Sequence, residues 1–532
     1  MTNISARDLL DEPEKASVAS AISDRLSQEL VFALVGPVGS GVSTAAGFIA
    51  DILSQTFGYK VFPTIRPSQF IRDEAHRIGL APPPSGSSLD IYVEKMQTAG
   101  NELRRKYGGS YLAEKVVERI HKYRHEGGGY RDEIAVPGRR AYIIDSLKNT
   151  DELELLRQIY GETLCVFGVF APDLLRQSRL TSDGSAPEQV RRIIDRDQNE
   201  LATFGQKTRK LFVQSDFFVC NDHKKEELKS KIERYLRLIF DTSIHTPTGA
   251  EAAMYEASAA AARSACMSRQ VGAAIISSTG ELVGVGWNDV PKFGGGLYCE
   301  DDQSVWDSEK RAIADHDNRC FKWGGCVCHN ETRRNGIVAN VVGKIIKSDL
   351  IKKGKTAADV RALLEGTEID ALIEFSRSIH AEMEAILSVA REGKHSLMGA
   401  TLYTNTYPCH NCARHIVACG ITSVIYIEPY AKSLAIALHS DAITEDQNEK
   451  RKVVFRQYDG VAPRNYLKLF RTASGRKQDG KLSREKPSTA LPIFRKLLDA
   501  QSVYEDKVIA DLSNKEQTAK QDGTGAGDDQ AS

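Results

Sequence analysis

The chain reads as an α/β protein of two units, on three observations. Short apolar runs alternate with amphipathic segments over residues 29 to 240, the pattern of a doubly wound sheet. A shorter strand and helix series follows a polar break at residues 242 to 250, "TSIHTPTGA", where Pro247 and Gly249 interrupt any regular element. The length, 532 residues, exceeds one ordinary domain.

In the first unit "LVFALVG", "RAYIID" and "TLCVFGVF" are the expected strands. "APPPSGSSL" at 81 to 89 is expected to be a loop, since consecutive prolines cannot continue a helix. The second unit opens with a helical run, "EAAMYEASAAAARSAC", and "VGAAIIS" and "ELVGVGW" then flank "STG" as a hairpin. "TLYTNTY", "PCHNCARHIVACG" and "ITSVIYIEPY" read as strand, helix and strand, with Gly420 as the stop. The expected divisions are residues 1–245, 246–475, and a charged linker with a disordered tail over 476–532, which is poor in apolar surface. No internal repeat stands out.

Charge and cysteine use narrow the chemistry. Seventy-one basic residues balance 71 acidic ones, so no global field attracts a long nucleic acid, while a local basic pocket can still hold a nucleotide's phosphates. The first thirty residues lack the order of a signal peptide and no apolar run spans a bilayer. A cytoplasmic protein is therefore expected, and its ten cysteines read as thiols or metal ligands rather than disulfides.

"RSIHAEMEAIL", residues 377 to 387, places His380 and Glu382 two apart in a helix whose stripe is Ile379, Met383, Ile386 and Leu387. Such residues converge only at a helix start. "PCHNC" supplies Cys409 and Cys412 at the start of another helix, with Pro408 at its entry, where the helix dipole favours thiolates. Three protein ligands, His380, Cys409 and Cys412, leave a fourth position of a zinc ion open for water, the arrangement of a catalytic site. Bound zinc brings water's pKa down to roughly 7, and Glu382 is the proton carrier. A lone histidine or a lone CxxC is more often structural; HxE and PCxxC together, in this order, form the signature of zinc nucleobase deaminases.

"MSRQVGAAI" (267 to 275), "GVGWNDVP" (284 to 291), "HAEMEAI" and "YTNTYPCHNCARHIVACGITSVIYIEPYAKS" resemble the corresponding segments of deoxycytidylate deaminases. With the N-terminal unit included, the whole resembles the anti-phage deoxycytidylate deaminases of bacteria. The resemblance implies a cytidine-deaminase-like α/β/α domain that converts dCTP, dCMP or both to the uracil forms. It further implies attack at C4 of cytosine, with Glu382 moving protons to N3 and the departing ammonia. Asn288 matches the sugar-holding residue, Arg269 is a phosphate candidate and Lys432 a weaker one; their bland alternatives are a turn residue and surface cations. A homo-oligomer and an inhibitory small RNA are also implied.

Two further motifs stay open. "DHDNRCFKWGGCVCH" holds His316, Cys320, Cys326, Cys328 and His329, a potential second metal site whose spacing fits no standard one, so reduced thiols in a packed loop are the simpler reading. "LVGPVGSGVSTAAGFIADIL" resembles a phosphate loop between strand and helix, which makes the first unit P-loop NTPase-like and nucleotide-kinase-like. Gly36, Gly39, Ser40, Gly41, Ser43 and Thr44 fit, with Ser43 at the magnesium-hydroxyl position and Asp145 as the acid at a strand tip, but Val42 stands where the lysine belongs. Nucleotide binding, with or without Mg2+, is expected to survive that loss; phosphoryl transfer is not. Arg191, Arg192 and Arg196 read equally as a cationic lid or a solvated helix. The competing readings are a tRNA or single-stranded DNA deaminase, disfavoured by zero net charge and 7% aromatic residues, and a nucleotide sensor with a deaminase-like module.

Overall fold

The computed structural model of the chain describes residues 22–524 except 85–86, 183–185, 200–206, 223, 303–304, 308, 310–311, 315–318, 323–325, 349–350, 353, 368, 370–371, 373–374, 431–432 and 472–474. Two compact units emerge, one of residues 1–246 with 467–532 and one of 247–466.

In the first unit β1 (Leu30–Val35), β2 (Lys60–Val61), β3 (Arg140–Asp145), β4 (Leu164–Phe170) and β5 (Phe217–Cys220) align in the order β5-β4-β1-β3-β2, all parallel. β1 and β4 are buried at every residue, as continuous apolar runs in a sheet covered on both faces must be. The expected strands are these; β2 and β5 are too short to announce themselves. α1 (Val42–Gln55) follows β1 and packs Ala45, Ala46, Ile49, Ile52 and Leu53 inward. Of the 81–89 loop, Leu89 already belongs to a helix, Leu89–Tyr107.

The C-terminal residues require a correction. The second unit ends at Tyr466, not 475, and the stretch read as linker and tail carries a helix, Leu498–Thr524, that packs on α2 (Tyr111–Glu126). Leu498 and Leu512 are buried on it, and ion pairing anchors the helix between them. Glu505, fully buried, receives both terminal nitrogens of Arg124, and Arg124 also pairs with Glu29 at 2.8 Å. Arg140 completes the network on Glu29 at 2.7 Å. Residues 525–532 lie outside the described residues.

The second unit holds a mixed sheet of β6 (Gly272–Ile276), β7 (Leu282–Trp287), β8 (Thr401–Thr406), β9 (Ser423–Glu428), β10 (Ile443–Thr444) and β11 (Val453–Gln457), in the order β10-β11-β9-β8-β6-β7. β6 pairs antiparallel with β7 and β8, and β8, β9, β11 and β10 run parallel. Glycines set the two helical layers. A Cβ at Gly272 would meet backbone of Ala257 and Ala261 in α3 (Gly249–Ala261), whereas one at Gly286 would meet backbone of Ala381 and Ala385 in α4 (Ala381–Glu392). Gly286 pairs with Ala273 and Gly272 with Trp287; alternate strand residues face opposite sides, so α3 and α4 cover opposite faces. Both chain segments are thus mixed α/β with parallel strands at their cores.

No helix among the described residues is long and apolar enough to cross a membrane.

Candidate active site

α4 delivers the first ligand. His380 is its N-cap residue, in extended backbone, and Glu382 lies in its first turn, so both side chains splay around the helix start. The start is fixed from outside: Ile379 donates its N–H to the carbonyl of Asp289 just past β7, at 2.9 Å. α5 (His410–Ala418) follows β8 and delivers the other two, with Cys409 as N-cap and Cys412 in the first turn. Pro408 therefore stands one residue outside the cap. Gly420, at φ 84°, follows the helix end, the left-handed position that suits glycine.

Nδ1 of His380 lies 3.3 Å from Sγ of Cys409 and 3.3 Å from Sγ of Cys412. Bond lengths of about 2.0 and 2.3 Å around a tetrahedral zinc put an imidazole nitrogen and a thiolate sulfur about 3.5 Å apart, so the donor set fits this ion. Among the described residues it is the one group of three such donors gathered within 4.8 Å of one another. Electrostatics prepare it. The Cys409 thiol is drawn down to about 4, first by a hydrogen bond from Cys412 and then by His380. The imidazole of His380 is raised to about 9, chiefly through its hydrogen bond with Cys409. Cys412 is pushed well up by the same thiol contact and by burial. Thus one thiolate stands ready, and a metal displaces the remaining protons. Glu382, 4% exposed, has its carboxyl raised, first by burial and then by Cys409.

His380 and Cys409 open on a cleft of about 200 Å³ that Glu382, Asn288, Arg269, Arg319, Arg377 and Tyr430 also line, while Cys412 is 1% exposed. Asn288 lines it, yet both ends of its amide are engaged: Oδ1 accepts from Val271 N–H at 2.7 Å and Nδ2 donates to the Arg269 carbonyl at 2.8 Å. Its first task is to fix the rim segment 269–271. Arg269, half exposed, pairs with Glu428 at 2.6 Å. Lys432 lies outside the described residues.

Sequence reasoning missed Arg319 and Arg377. Arg319 is 4% exposed, pairs with Asp289 at 3.6 Å and comes from the segment between β7 and α4. No spacing marked it, because its partner lies thirty residues back along the chain. Of the potential second metal site, Cys320 and Cys328 line the cleft, Cys326 donates to the Phe321 carbonyl at 2.9 Å, and His316 lies outside the described residues.

In the first unit the glycine loop joins β1 to α1. Gly39 and Gly41 have φ of 81° and 86°, Gly41 is the N-cap of α1, Val42 is its first residue, and Ser43 and Thr44 follow in the first turn. Ser43 donates to Asp145 at 2.6 Å. Arg191 and Arg192 are exposed on the helix Pro187–Asn199; the Arg196 side chain lies outside the described residues.

A family model described as "Cytidine and deoxycytidylate deaminase zinc-binding region" matches residues 247–428. The deoxycytidylate deaminases of Enterobacteria phages T2 and T4 are each 30% identical over 177 residues, 32% of this chain and 74% and 72% of theirs. A probable deoxycytidylate deaminase of Drosophila melanogaster is 30% identical over 109 residues, 20% of this chain and 47% of that one. On this similarity, and with a zinc-type donor set at the centre of the matched region, the chain belongs to the zinc-binding cytidine and deoxycytidylate deaminases.

Proposed function

We propose that the protein hydrolyses the exocyclic amine of free deoxycytidine nucleotides, dCTP, dCMP or both, giving the deoxyuridine nucleotide and ammonia, and that it thereby depletes the pool available to an infecting phage. The observation that carries the deamination is the gathering of His380, Cys409 and Cys412, with a buried carboxyl, Glu382, lining the same cleft as His380 and Cys409. Zinc held by the trio supplies water activated toward hydroxide at neutral pH. The rest falls to the chain. Glu382, with its affinity for protons increased by burial, takes the water's proton and passes it to N3, then takes the proton of the new C4 hydroxyl and delivers it to the amine, so that C4=O forms as the C4–N bond breaks and ammonia leaves. Burial of Glu382 keeps competing water from that relay. Arg269 and Arg377 give the cleft positive charge for a phosphate, and Asn288 holds the rim against which the sugar lies.

The first unit is read as a nucleotide-kinase-like phosphate-loop domain kept for binding. The left-handed glycines and the Ser43–Asp145 pair support that reading; Val42 argues against phosphoryl transfer. The anti-phage role rests on the resemblance noted above for the two units together.

The deciding assay follows ammonia release from dCMP, dCTP and a cytosine-containing single-stranded oligonucleotide, with wild type and Glu382→Gln. Turnover of the free nucleotides alone, lowered by roughly 10² to 10⁴ in Glu382→Gln, is the expected result. Turnover of the oligonucleotide alone would overturn it. Phage plating with the same variant then tests the biological role, since restriction that survives Glu382→Gln cannot come from deamination.

A further inference from the structure

A phosphate loop without its lysine lacks the ammonium that meets the outer phosphates of a bound nucleotide. In this chain three cations from other elements close on that loop. Lys148, half-buried and three residues beyond Asp145, donates its Nζ to the carbonyl of Gly36 at 2.9 Å. Arg179, on the helix Asp173–Ser182, donates to the carbonyl of Gly39 at 3.3 Å and holds the Asn221 carbonyl at 2.8 Å. The same helix brings Arg176, 1% exposed, whose Nε donates to the Val38 carbonyl at 2.9 Å.

Two buried polar atoms at the loop are left without partners among the described residues: Oγ of Ser40, itself fully buried, and Nη2 of Arg176. Ser40 Oγ faces across the loop, 2.7 Å from where a Cβ of Gly36 would stand. Buried donors are rarely left unpaired in folded proteins, and both would be met by an anion seated on the loop and on the amides at the start of α1.

We infer that Lys148 takes the place of the missing lysine, so that the loop of residues 36–43 binds the polyphosphate of a nucleoside triphosphate together with a divalent cation. The inference rests on reading the first unit as a phosphate-loop domain. The carboxylate of Asp145, hydrogen-bonded by Ser43 and 3.6 Å from Arg66, repels a bare anion but suits a metal-chelated one. Lys148 and Arg179 meet loop carbonyls three residues apart, a spread that fits a chain of phosphates better than a single one.

The test is calorimetric titration of the full chain with inorganic tripolyphosphate and Mg2+, with circular dichroism as the check of folding. Loss of one charge-assisted contact in Lys148→Ala should weaken binding by about ten- to a hundredfold. Val42→Lys placed on Lys148→Ala should recover most of it, which a merely structural role for Lys148 would not allow. If wild type binds, the loop variant Gly41→Val does not, and Lys148→Ala binds as well as wild type, the assignment of Lys148 is overturned while the loop reading stands. If wild type binds no tripolyphosphate, the loop reading itself fails.

Discussion

Nδ1 of His380 and Sγ of Cys412 stand 3.3 Å apart, brought together by the starts of two helices that follow different strands. Because each ligand sits in a cap or first turn, the site is assembled by the fold before any ion arrives. Cys412→Ser should therefore leave the fold in place while zinc, measured by plasma mass spectrometry on the purified chain, falls from one equivalent to near none. Chelation of the wild type should have the same effect on turnover and should lower the melting temperature.

Glu382→Gln is expected to separate binding from chemistry. The substitution keeps shape and burial, so zinc content should be unchanged, and turnover should fall by roughly 10² to 10⁴, the usual contribution of a positioned proton carrier. The check is zinc stoichiometry and ammonia release on one preparation.

The gathering of His380, Cys409, Cys412 and Glu382 at two helix starts was legible because HxE and PCxxC place particular residue types there in adjacent letters. Asn288 was legible as a cleft residue but not in its partners, which are backbone groups of residues 269–271. The helix Leu498–Thr524 was hidden for a physical reason. Its inward positions include Gln501 and Glu505, while Val503 and Tyr504 are 65% and 49% exposed. Its buried face runs through Leu498, Gln501, Glu505 and Leu512, so the apolar stripe is interrupted by two polar residues, Glu505 held by Arg124 and Gln501 donating to the Thr163 hydroxyl at 2.8 Å.

That buried network makes acid stability a test of the C-terminal helix. Burial alone would raise the Glu505 carboxyl, but Arg124 outweighs it and leaves the group lowered from its ordinary value of 4.5. A carboxyl lowered in the folded state contributes stability that is fully present above its unfolded value and is lost as pH falls through the folded one. Glu505→Gln also strands Arg124 with only Glu29 on that side, a change of the kind that costs about 3–5 kcal/mol. The first unit should melt earlier at pH 7, and the melting temperature should depend less on pH below about 4.5 than in wild type.

Two glycines give opposite expectations for the same substitution. Gly47 lies exposed in α1, and a Cβ there meets nothing within 4 Å, so Gly47→Ala should stabilise by about 0.5–1 kcal/mol through helix propensity alone. At Gly286 the added carbon would collide with the Ala381 carbonyl oxygen and the Ala385 nitrogen, backbone atoms of α4 that cannot swing aside. Gly286→Ala must then push α4 from the sheet or distort β7, at about 1–3 kcal/mol. Because His380 caps α4 and Glu382 lies in its first turn, turnover should fall further than the loss of folded protein explains. Denaturation of both variants beside kcat per bound zinc checks this: equal stability, or a Gly286→Ala enzyme with wild-type kcat, would mean that α4 does not depend on this contact for the placing of His380 and Glu382.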